Sequence, residues 1–374
     1  MKRFLCIVLI FQGLSATASS QREVYRLLDM FSDAFRYARS EYVKPVSEET
    51  LIEGAIQGML SSLDPYSAYI NQQRYQDMLK DIEGGYAGIG IEFTLDGDKL
   101  KIITPLDNSP AHRAGLKAGD IIWEINGESV QGLDLFEISD RLKGHPKEAL
   151  SLKIERELTN PFTVKLKREK IVLNPITWKI AQNMAYVRLS NFNDAKTAKK
   201  FKKAIETIQS KMQGALQGLV IDLRNNPGGI LDQAVSIADL LLDKGIIVKV
   251  KSRKAENDAA YLVSEKPKIL KNIPIVVLVN KGTASSAEIL AAALKDHDRA
   301  FLMGSKTYGK GSIQTILPIP PGYTAIRLTT GYYYSPLGKS IQGKGIEPHE
   351  NMSDSIPDEE VLSRAFHTLL SLKK

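Results

Sequence analysis

The sequence predicts an α/β fold that carries a smaller β-rich domain and a helical region at its N-terminal end. Two continuous apolar runs, 216–224 and 273–280, are each followed by a helical pattern, which is typical of strands buried on both faces of a sheet. Between about 84 and 158, short strand-like runs alternate with turns instead. The two patterns indicate separate domains of different architecture.

Five segments follow from these patterns. They are a signal peptide (1–20), a helical region (21–80), a β-rich domain (84–158), an α/β core (160–350) and a C-terminal helix (351–374). In the helical region, apolar residues recur at three- and four-residue steps from Val24 to Ala38 and again from Leu51 to Leu63. Such a stripe packs on another domain or on a second subunit, so a homodimer through these helices is compatible with the sequence.

The first twenty residues have the pattern of a secretory signal. Lys2 and Arg3 precede the apolar run 4–11, and the small residues 16–18 form a cleavage site. The only cysteine, Cys6, lies inside this signal, so the mature chain would contain no disulfide. Export without disulfides predicts a bacterial periplasmic protein; membrane association through an uncleaved signal is the alternative.

The charge pattern argues against a nucleic-acid partner. A formal net charge of +7 over 374 residues gives only a mildly basic surface. The densest basic run, 196–203, has apolar residues at helical spacing, so its lysines form the solvated face of an amphipathic helix.

The stretch "GSKTYGKGS" at 304–312 has the spacing of a nucleotide-binding P-loop up to Lys310. Gly311 then stands where the metal-binding Ser or Thr is required. The segment that follows alternates like a strand and is rich in proline, although a P-loop must lead into a helix. The sequence therefore excludes a P-loop here.

The start of the helical stretch 284–296 is a candidate nucleophile site, because a helix N-terminus favours negative charge. Thr283, Ser285 and Ser286 lie there, and such residues are also ordinary helix caps. His297 follows Ser285 by twelve residues on the same predicted helix, roughly 18 Å along its axis, so it cannot act as the base. A lysine whose pKa is lowered by burial can replace histidine, and Lys310 between two glycines is a candidate. The remaining histidines lie outside any motif: His112, His145, His349 and His367.

Two resemblances connect these motifs. "GYAGIGIEF" (85–93) followed by "SPAHRAGLKAGDIIWEINGESV" (109–130) resembles a PDZ domain. "NKGTASSAEILAAALKDHDRAFLMGSKTYGKGSIQT" (280–315), with "IDLRNNPGG" (221–229), resembles the active-site region of the C-terminal processing, or tail-specific, serine proteases. The likeness covers nearly the whole mature chain. It implies a crotonase-like β/α core with an inserted PDZ domain.

The family resemblance implies the roles of individual residues. It makes Ser285 the nucleophile, Lys310 the general base and Gln314 a residue that positions the lysine. The oxyanion hole would use the N–H of Ser286 and an N–H of the Gly228–Gly229 pair, with the choice between these glycines left open. The PDZ loop that receives a peptide carboxylate would comprise Ala87, Gly88, Ile89, Gly90 and Ile91.

The implied activity is cofactor-free and metal-free hydrolysis of protein substrates near a free apolar C-terminus, which the PDZ domain would bind. Whether an adaptor protein takes part is left open. Two other classes remain at this point: a PDZ adaptor on an inactive peptidase core, and a crotonase-type acyl-CoA enzyme, since a shared fold does not fix function. The intact Ser285, Lys310 and Gln314 favour the peptidase over the adaptor, and the signal peptide argues against CoA chemistry.

Overall fold

A computed structural model describes residues 11–76, 87–171, 174–265 and 269–372, with side chains described from residue 21. The first ten residues of the predicted signal, including Cys6, therefore lie outside the described residues. The helices are α1 (Phe11–Glu41), α2 (Glu48–Ser61), α3 (Pro110–Arg113), α4 (Leu135–Leu142), α5 (Thr197–Met212), α6 (Leu231–Leu241), α7 (Ser286–Asp296) and α8 (Asp358–Leu372), with a 3-10 turn at Ala255–Asn257 and helical residues at 72–76.

The strands are β1 (Ala68–Ile70), β2 (Ala87–Gly88), β3 (Ile91–Asp96), β4 (Lys99–Pro105), β5 (Ile121–Ile125), β6 (Glu128–Ser129), β7 (Ala149–Glu155), β8 (Phe162–Lys167), β9 (Glu169–Lys170), β10 (Ile176–Ala181), β11 (Met184–Leu189), β12 (Gly218–Asp222), β13 (Ile246–Ser252), β14 (Ala259–Leu262), β15 (Ile275–Val279), β16 (Phe301–Gly304), β17 (Ser312–Ile319), β18 (Thr324–Tyr334) and β19 (Glu350–Asn351).

The chain divides into two compact units, Met1–Leu63 and Asp64–Lys374. The first contains α1 and α2. Helix α2 begins after Ser47, whose side chain accepts the N–H of Thr50 as an N-cap. Several large apolar side chains of α1 are exposed, as the predicted apolar stripe implies. No helix within the described ranges is long and apolar enough to cross a bilayer.

The predicted helical region contains one strand. Asp64 and Pro65 end the helical pattern, and β1 follows and pairs antiparallel with β18. The burial of β1 alternates, so this short run has the period of a strand rather than of a helix. Residues 68–70 were therefore assigned wrongly by the helical prediction.

The second unit is built on a six-stranded sheet with the order β10-β11-β12-β15-β16-β19. Strands β11, β12, β15, β16 and β19 are parallel, and every residue of β12 and β15 is buried. Helices α5, α6 and α7 pack on one face, and α8 packs on the other. This confirms the prediction that 216–224 and 273–280 contain strands covered on both faces.

Besides the short β2-β9 pair, two further sheets flank this core. One has the order β1-β18-β13-β14, with β17 paired to β18. The other, β3-β4-β5-β7-β8 with β6 beside β5, surrounds the separate apolar core of the β-rich domain. Among the described residues, β3 pairs only with β4, so its outer edge carries no strand. An open edge can accept an added peptide strand.

A partly buried ion pair joins the β-rich domain to the core sheet. The Arg188 guanidinium on β11 donates to both carboxylate oxygens of Asp107, at 2.9 and 2.8 Å, and to the carbonyl of Asp222 at 3.0 Å. Asp222 also accepts from Arg224, which reaches Asp358 at the start of α8. Burial alone would raise the pKa of Asp222, but Arg188 and Arg224 hold it below its ordinary value. Arg224 is thus a structural residue.

Candidate active site

The serine loop connects β15 to α7 and is fixed by the neighbouring loop after β12. The Asn280 Nδ2 donates to Asn225 Oδ1 at 2.9 Å, and the Asn225 N–H donates back to Asn280 Oδ1 at 2.8 Å. Thr283 is buried and its hydroxyl donates to the Leu223 carbonyl at 2.8 Å, so its role is structural. Both loops leave the carboxyl ends of adjacent parallel strands, where α/β proteins place functional groups.

Ser285 occupies a strained backbone conformation just before α7. Its φ and ψ are 54° and −125°, a region that glycine tolerates and a residue with a side chain adopts only when its surroundings enforce it. Its side chain is half-buried, whereas that of Ser286 is buried and donates to the Gly229 carbonyl at 2.9 Å. Of the candidate nucleophiles, Ser285 is therefore the accessible one. A strained turn that presents a serine at a helix N-terminus is typical of hydrolase nucleophiles.

The two glycines at 228 and 229 lie against this turn. A Cβ on Gly228 would come within 2.8 Å of the Ser285 Cβ, which explains the need for glycine at this position. The Gly228 N–H is buried and donates to Asn226 Oδ1 at 2.9 Å. Gly229 is exposed, and neither its N–H nor that of Ser286 has an acceptor among the hydrogen bonds of the described residues.

The loop that carries Lys310 follows β16 and leads into strand β17, which confirms that no helix begins there. Glycines flank Lys310 because the loop packs closely on residues 342–345. A Cβ on Gly311 would lie 2.4 Å from the Gln342 backbone nitrogen, and one on Gly309 would lie 2.9 Å from that of Gly345. The flanking glycines thus permit backbone-to-backbone contact.

Glu288 ties the serine loop to the lysine loop. One carboxylate oxygen accepts the N–H of Ser285 and that of Lys310, both at 2.9 Å. The other accepts the Gly309 N–H at 2.7 Å and the Thr307 hydroxyl at 2.5 Å. Burial raises the pKa of Glu288 to about 7, although all four donors act to lower it. One buried carboxylate therefore fixes the backbone of both predicted dyad residues.

The side chains of the predicted dyad are not hydrogen-bonded to each other in the described part of the chain. The Lys310 Nζ lies 5.3 Å from the centre of the Tyr66 ring. The Gln314 amide donates to the Ser312 hydroxyl at 3.0 Å and to the Thr329 hydroxyl at 3.2 Å rather than contacting Lys310. The structure thus brings the backbones of Ser285 and Lys310 together and leaves the lysine side chain turned towards Tyr66.

Two of the five histidines make contacts elsewhere in the fold. The His297 Nε2 lies 2.7 Å from the Ile246 carbonyl, at the C-terminal end of α7. The His349 ring stacks on Phe301 and its Nδ1 accepts the Leu302 N–H. No hydrogen bond of the described residues joins any of the five histidines to Ser285. This agrees with the exclusion of a histidine base.

The predicted peptide-binding loop precedes the open edge of β3. Ala87 and Gly88 form β2, which pairs with β9, and Ile91 begins β3. The carbonyls of Ile89 and Gly90 accept the N–H groups of Ala111 and Leu106, whereas their own N–H groups have no acceptor within the described ranges. Backbone N–H groups without an acceptor beside a free strand edge are suited to bind a carboxylate.

The sequence did not predict the contacts of two residues, Glu288 and Tyr66. Glu288 stands three residues after Ser285, the spacing of a capping box, so its sequence signal is that of an ordinary helix start. Tyr66 has no local signal, because its contacts with Lys310 and Tyr308 are made across the fold.

Comparisons with known proteins agree with this geometry. Family models described as "Peptidase family S41", "PDZ domain" and "Activating protease CtpB N-terminal domain" match residues 183–352, 102–156 and 11–74. The "Carboxy-terminal-processing protease" of Bartonella bacilliformis is 40% identical over 357 residues, which cover 95% of this chain and 82% of the relative. A "Probable CtpA-like serine protease" of Staphylococcus aureus is 33% identical and matches 86% of this chain; the chain spans 64% of that relative's length.

A solved structure described as "Photosystem II D1 C-terminal processing protease" superposes with a TM-score of 0.76 at 29% identity, over 90% of each chain. The fold and the comparisons together define a serine peptidase with a PDZ domain. The chain belongs to peptidase family S41 and is similar along most of its length to carboxy-terminal-processing proteases. The predicted fold class and enzyme class are confirmed, and the acyl-CoA alternative is set aside.

Proposed function

We propose that this protein is a periplasmic endopeptidase that cleaves proteins near their C-terminus with a Ser285–Lys310 dyad. The observation that carries the proposal is the shared carboxylate of Glu288, which holds the backbone N–H groups of both residues. The serine loop and the lysine loop are thereby held in a fixed position relative to each other. A purely structural N-cap serine would need no such connection to the lysine loop.

In the proposed first step, the neutral amine of Lys310 accepts the proton of the Ser285 hydroxyl, and Oγ attacks the scissile carbonyl. The lysine side chain must first turn from Tyr66 towards Ser285. The negative charge that develops on the carbonyl oxygen would be bound by the N–H groups of Ser286 and Gly229, which have no acceptor among the described residues. Such donors are worth a factor of about a hundred to a thousand in rate. Gly229 is favoured over Gly228 because Asn226 already accepts the Gly228 N–H.

The second step breaks the substrate C–N bond. The protonated Lys310 would return its proton to the leaving amine, and an acyl-enzyme ester would remain on Ser285. Water activated by the same amine would then hydrolyse the ester. No metal or cofactor enters this scheme. Within it, Gln314 would orient Lys310 only after releasing its present contacts with Ser312 and Thr329.

The PDZ domain would bind the free C-terminal end of the substrate. The N–H groups of Ile89 and Gly90 and the open edge of β3 support this role, because a peptide could add as a strand with its carboxylate at the loop. A cleft of about 1580 Å³, lined by residues of both the PDZ domain and the core, reaches the lysine loop at Tyr308 and Gly309. An extended substrate could pass from the PDZ edge to the dyad through this space.

Partners other than the substrate are a separate part of the proposal. The exposed apolar side chains of α1 are compatible with a homodimer through the N-terminal helices, which sedimentation of the mature protein would test. Export to the periplasm follows from the predicted signal peptide.

The test is mass spectrometry of the products formed from an unstructured protein with an apolar C-terminal tail. Wild-type protein, Ser285→Ala and Lys310→Ala would be compared, with an amidated-tail substrate as the matched control. Loss of cleavage in both variants and slower cleavage of the amidated substrate are expected. Cleavage that survives Lys310→Ala would refute the base assignment. Binding of the tail without cleavage by wild-type protein would favour the adaptor class instead.

A further inference from the structure

The side chain of Lys310 lies on an aromatic ring supplied from outside the peptidase core. Its Nζ is 5.3 Å from the centre of the Tyr66 ring, within the range of a cation–π contact. Tyr66 belongs to the segment between α2 and β1. We propose that Tyr66 is a positioning residue that holds the protonated form of Lys310. This inference rests on the proposed Ser-Lys mechanism and adds a residue to it.

Tyr66 is held rigidly at its backbone. Its N–H donates to Asp64 Oδ1 at 2.8 Å, and its carbonyl accepts from the Arg327 Nε at 2.8 Å. The next residue, Ser67, is buried and its hydroxyl accepts the N–H of Thr329 on β18. The backbone of Tyr66 is therefore fixed beside β18. On that strand, Thr329 is the cross-strand partner of Gln314 on β17.

The side chain of Tyr66 has two further neighbours. They are Thr94, on strand β3 of the PDZ domain, and Tyr308, two residues before Lys310. Burial raises the pKa of the Tyr66 hydroxyl, although both neighbours act to lower it, so it stays neutral under working conditions. A single phenol thus contacts the PDZ domain, the lysine loop and the lysine itself. A displacement of β3 would change the surroundings of the Tyr66 ring, and the Lys310 side chain lies on that ring.

The chemistry favours one protonation state of the base. The face of an aromatic ring attracts an ammonium group and offers nothing comparable to a neutral amine. In the proposed cycle, the proton moves from Ser285 Oγ to Lys310 Nζ and later to the leaving amine, with no net change. Tyr66 would stabilise the protonated lysine that is turned away from Ser285, so the amine must lose its proton and leave the ring before it accepts the proton of the Ser285 hydroxyl.

Other ionisable groups around this contact are Glu288, which accepts the backbone N–H of Lys310, and Asp64 and Asp96, whose charges act on Tyr66. Tyr308 and Arg327, whose Nε donates to the Tyr66 carbonyl, also belong to these groups. Substitution of Tyr66 leaves all of them in place. A change in pH dependence between Tyr66 variants therefore reports the ring itself.

The experiment compares Tyr66→Phe, which keeps the ring, with Tyr66→Leu, which removes it. The pH profile of kcat/KM would be measured for cleavage of the tailed substrate. Tyr66→Phe should retain the acidic midpoint of wild-type protein and lose about three- to tenfold in kcat/KM, since one neutral hydrogen-bonding group is lost. Tyr66→Leu should move the acidic midpoint to lower pH by about half a unit, because the ammonium form of the base loses its ring.

Two further comparisons keep the test decisive. Tyr334→Leu removes a ring that lies at the same 5.3 Å from another lysine, Lys251, and should leave the midpoint unchanged. If Tyr66→Leu does not fold, ring-fluorinated phenylalanines at position 66 keep the volume while weakening the attraction for a cation. The midpoint should then fall progressively with fluorination.

The outcomes separate this inference from the proposed function. If Lys310→Ala abolishes cleavage and Tyr66→Leu cleaves with the wild-type midpoint, the role of Tyr66 is refuted and the dyad stands. A midpoint that is independent of fluorination refutes it equally. If Lys310→Ala still cleaves, the dyad itself is wrong. A lower rate with an unmoved midpoint would mean that Tyr66 contributes only to packing.

Discussion

Replacement of Glu288 by glutamine is the sharpest probe of how the two loops are joined. Glutamine has nearly the same shape, but it presents one acceptor oxygen and one NH2 donor. Each carboxylate oxygen of Glu288 accepts two hydrogen bonds. In either orientation of the amide, two of the four donors must therefore face an NH2 group. Either Ser285 and Lys310, or Thr307 and Gly309, lose their acceptor.

The size of the effect follows from these contacts. A hydrogen bond to a charged group contributes about 1.5–3 kcal/mol, so the loss of two corresponds to about 3–6 kcal/mol. Removing a buried carboxylate offsets part of this, since burial already raises the pKa of Glu288 to about 7. We expect a net decrease of about 2–4 kcal/mol in the free energy of unfolding at pH 4.5, and we expect most of this difference to disappear by pH 7. We also expect kcat/KM to fall about a hundredfold, as displacement of reacting groups by about 1 Å can cause.

The assay pairs urea unfolding with kcat/KM on the tailed substrate. Glu137→Gln is the matched control, because Glu137 accepts the Asp134 N–H at 2.8 Å in the same capping-box geometry at the start of α4. That variant should lose at most about 1 kcal/mol and keep its activity. If folded Glu288→Gln cleaves at the wild-type rate, the carboxylate does not hold the two loops in register and the reasoning is wrong.

Three further outcomes are expected. Because burial raises the pKa of Glu288 from 4.5 to about 7, its contribution to stability is complete below pH 4.5 and is lost as the pH rises through 7. Urea titrations should show the stability of wild-type protein falling by about 3 kcal/mol relative to Glu288→Gln over that interval; parallel curves would contradict the shift. Gly311→Ala should lose at least about a hundredfold in kcat/KM, since its Cβ would meet the Gln342 nitrogen at 2.4 Å, and unchanged kinetics would show that the contact can relax. Arg188→Met should lower the free energy of unfolding by about 3–5 kcal/mol, because Asp222 and Asp107 both lose their contact with this guanidinium. A decrease below about 1 kcal/mol would show that these ion pairs are not needed for stability.

The core of the site could be anticipated because its signals are local. The apolar runs at 216–224 and 273–280 predict buried strands, and functional loops follow the carboxyl ends of such strands. Ser285 and Lys310 stand in short motifs whose residues are adjacent in the chain. The strand at 68–70 was missed because three residues are too few to establish an alternating period against a helical neighbourhood.

The contacts around Lys310 could not be predicted in this way. Tyr66 meets Thr94 and Tyr308 only through tertiary packing, and no spacing in the sequence encodes that meeting. Glu288 has a recognisable pattern, but a capping box describes one helix start and not a link to a second loop. The choice between Gly228 and Gly229 depends on which N–H Asn226 already binds, which is visible only in three dimensions.

The close packing of Gly309 and Gly311 on residues 342–345 has a consequence for the order in which the enzyme is made. The lysine loop takes its shape from residues 342–345, which a ribosome adds after both Ser285 and Lys310. A nascent chain that already contains both Ser285 and Lys310 would still lack the surface that shapes the lysine loop. The lysine loop would therefore take its shape only after residue 345 has been synthesised, and truncation before residue 342 should leave a chain without activity.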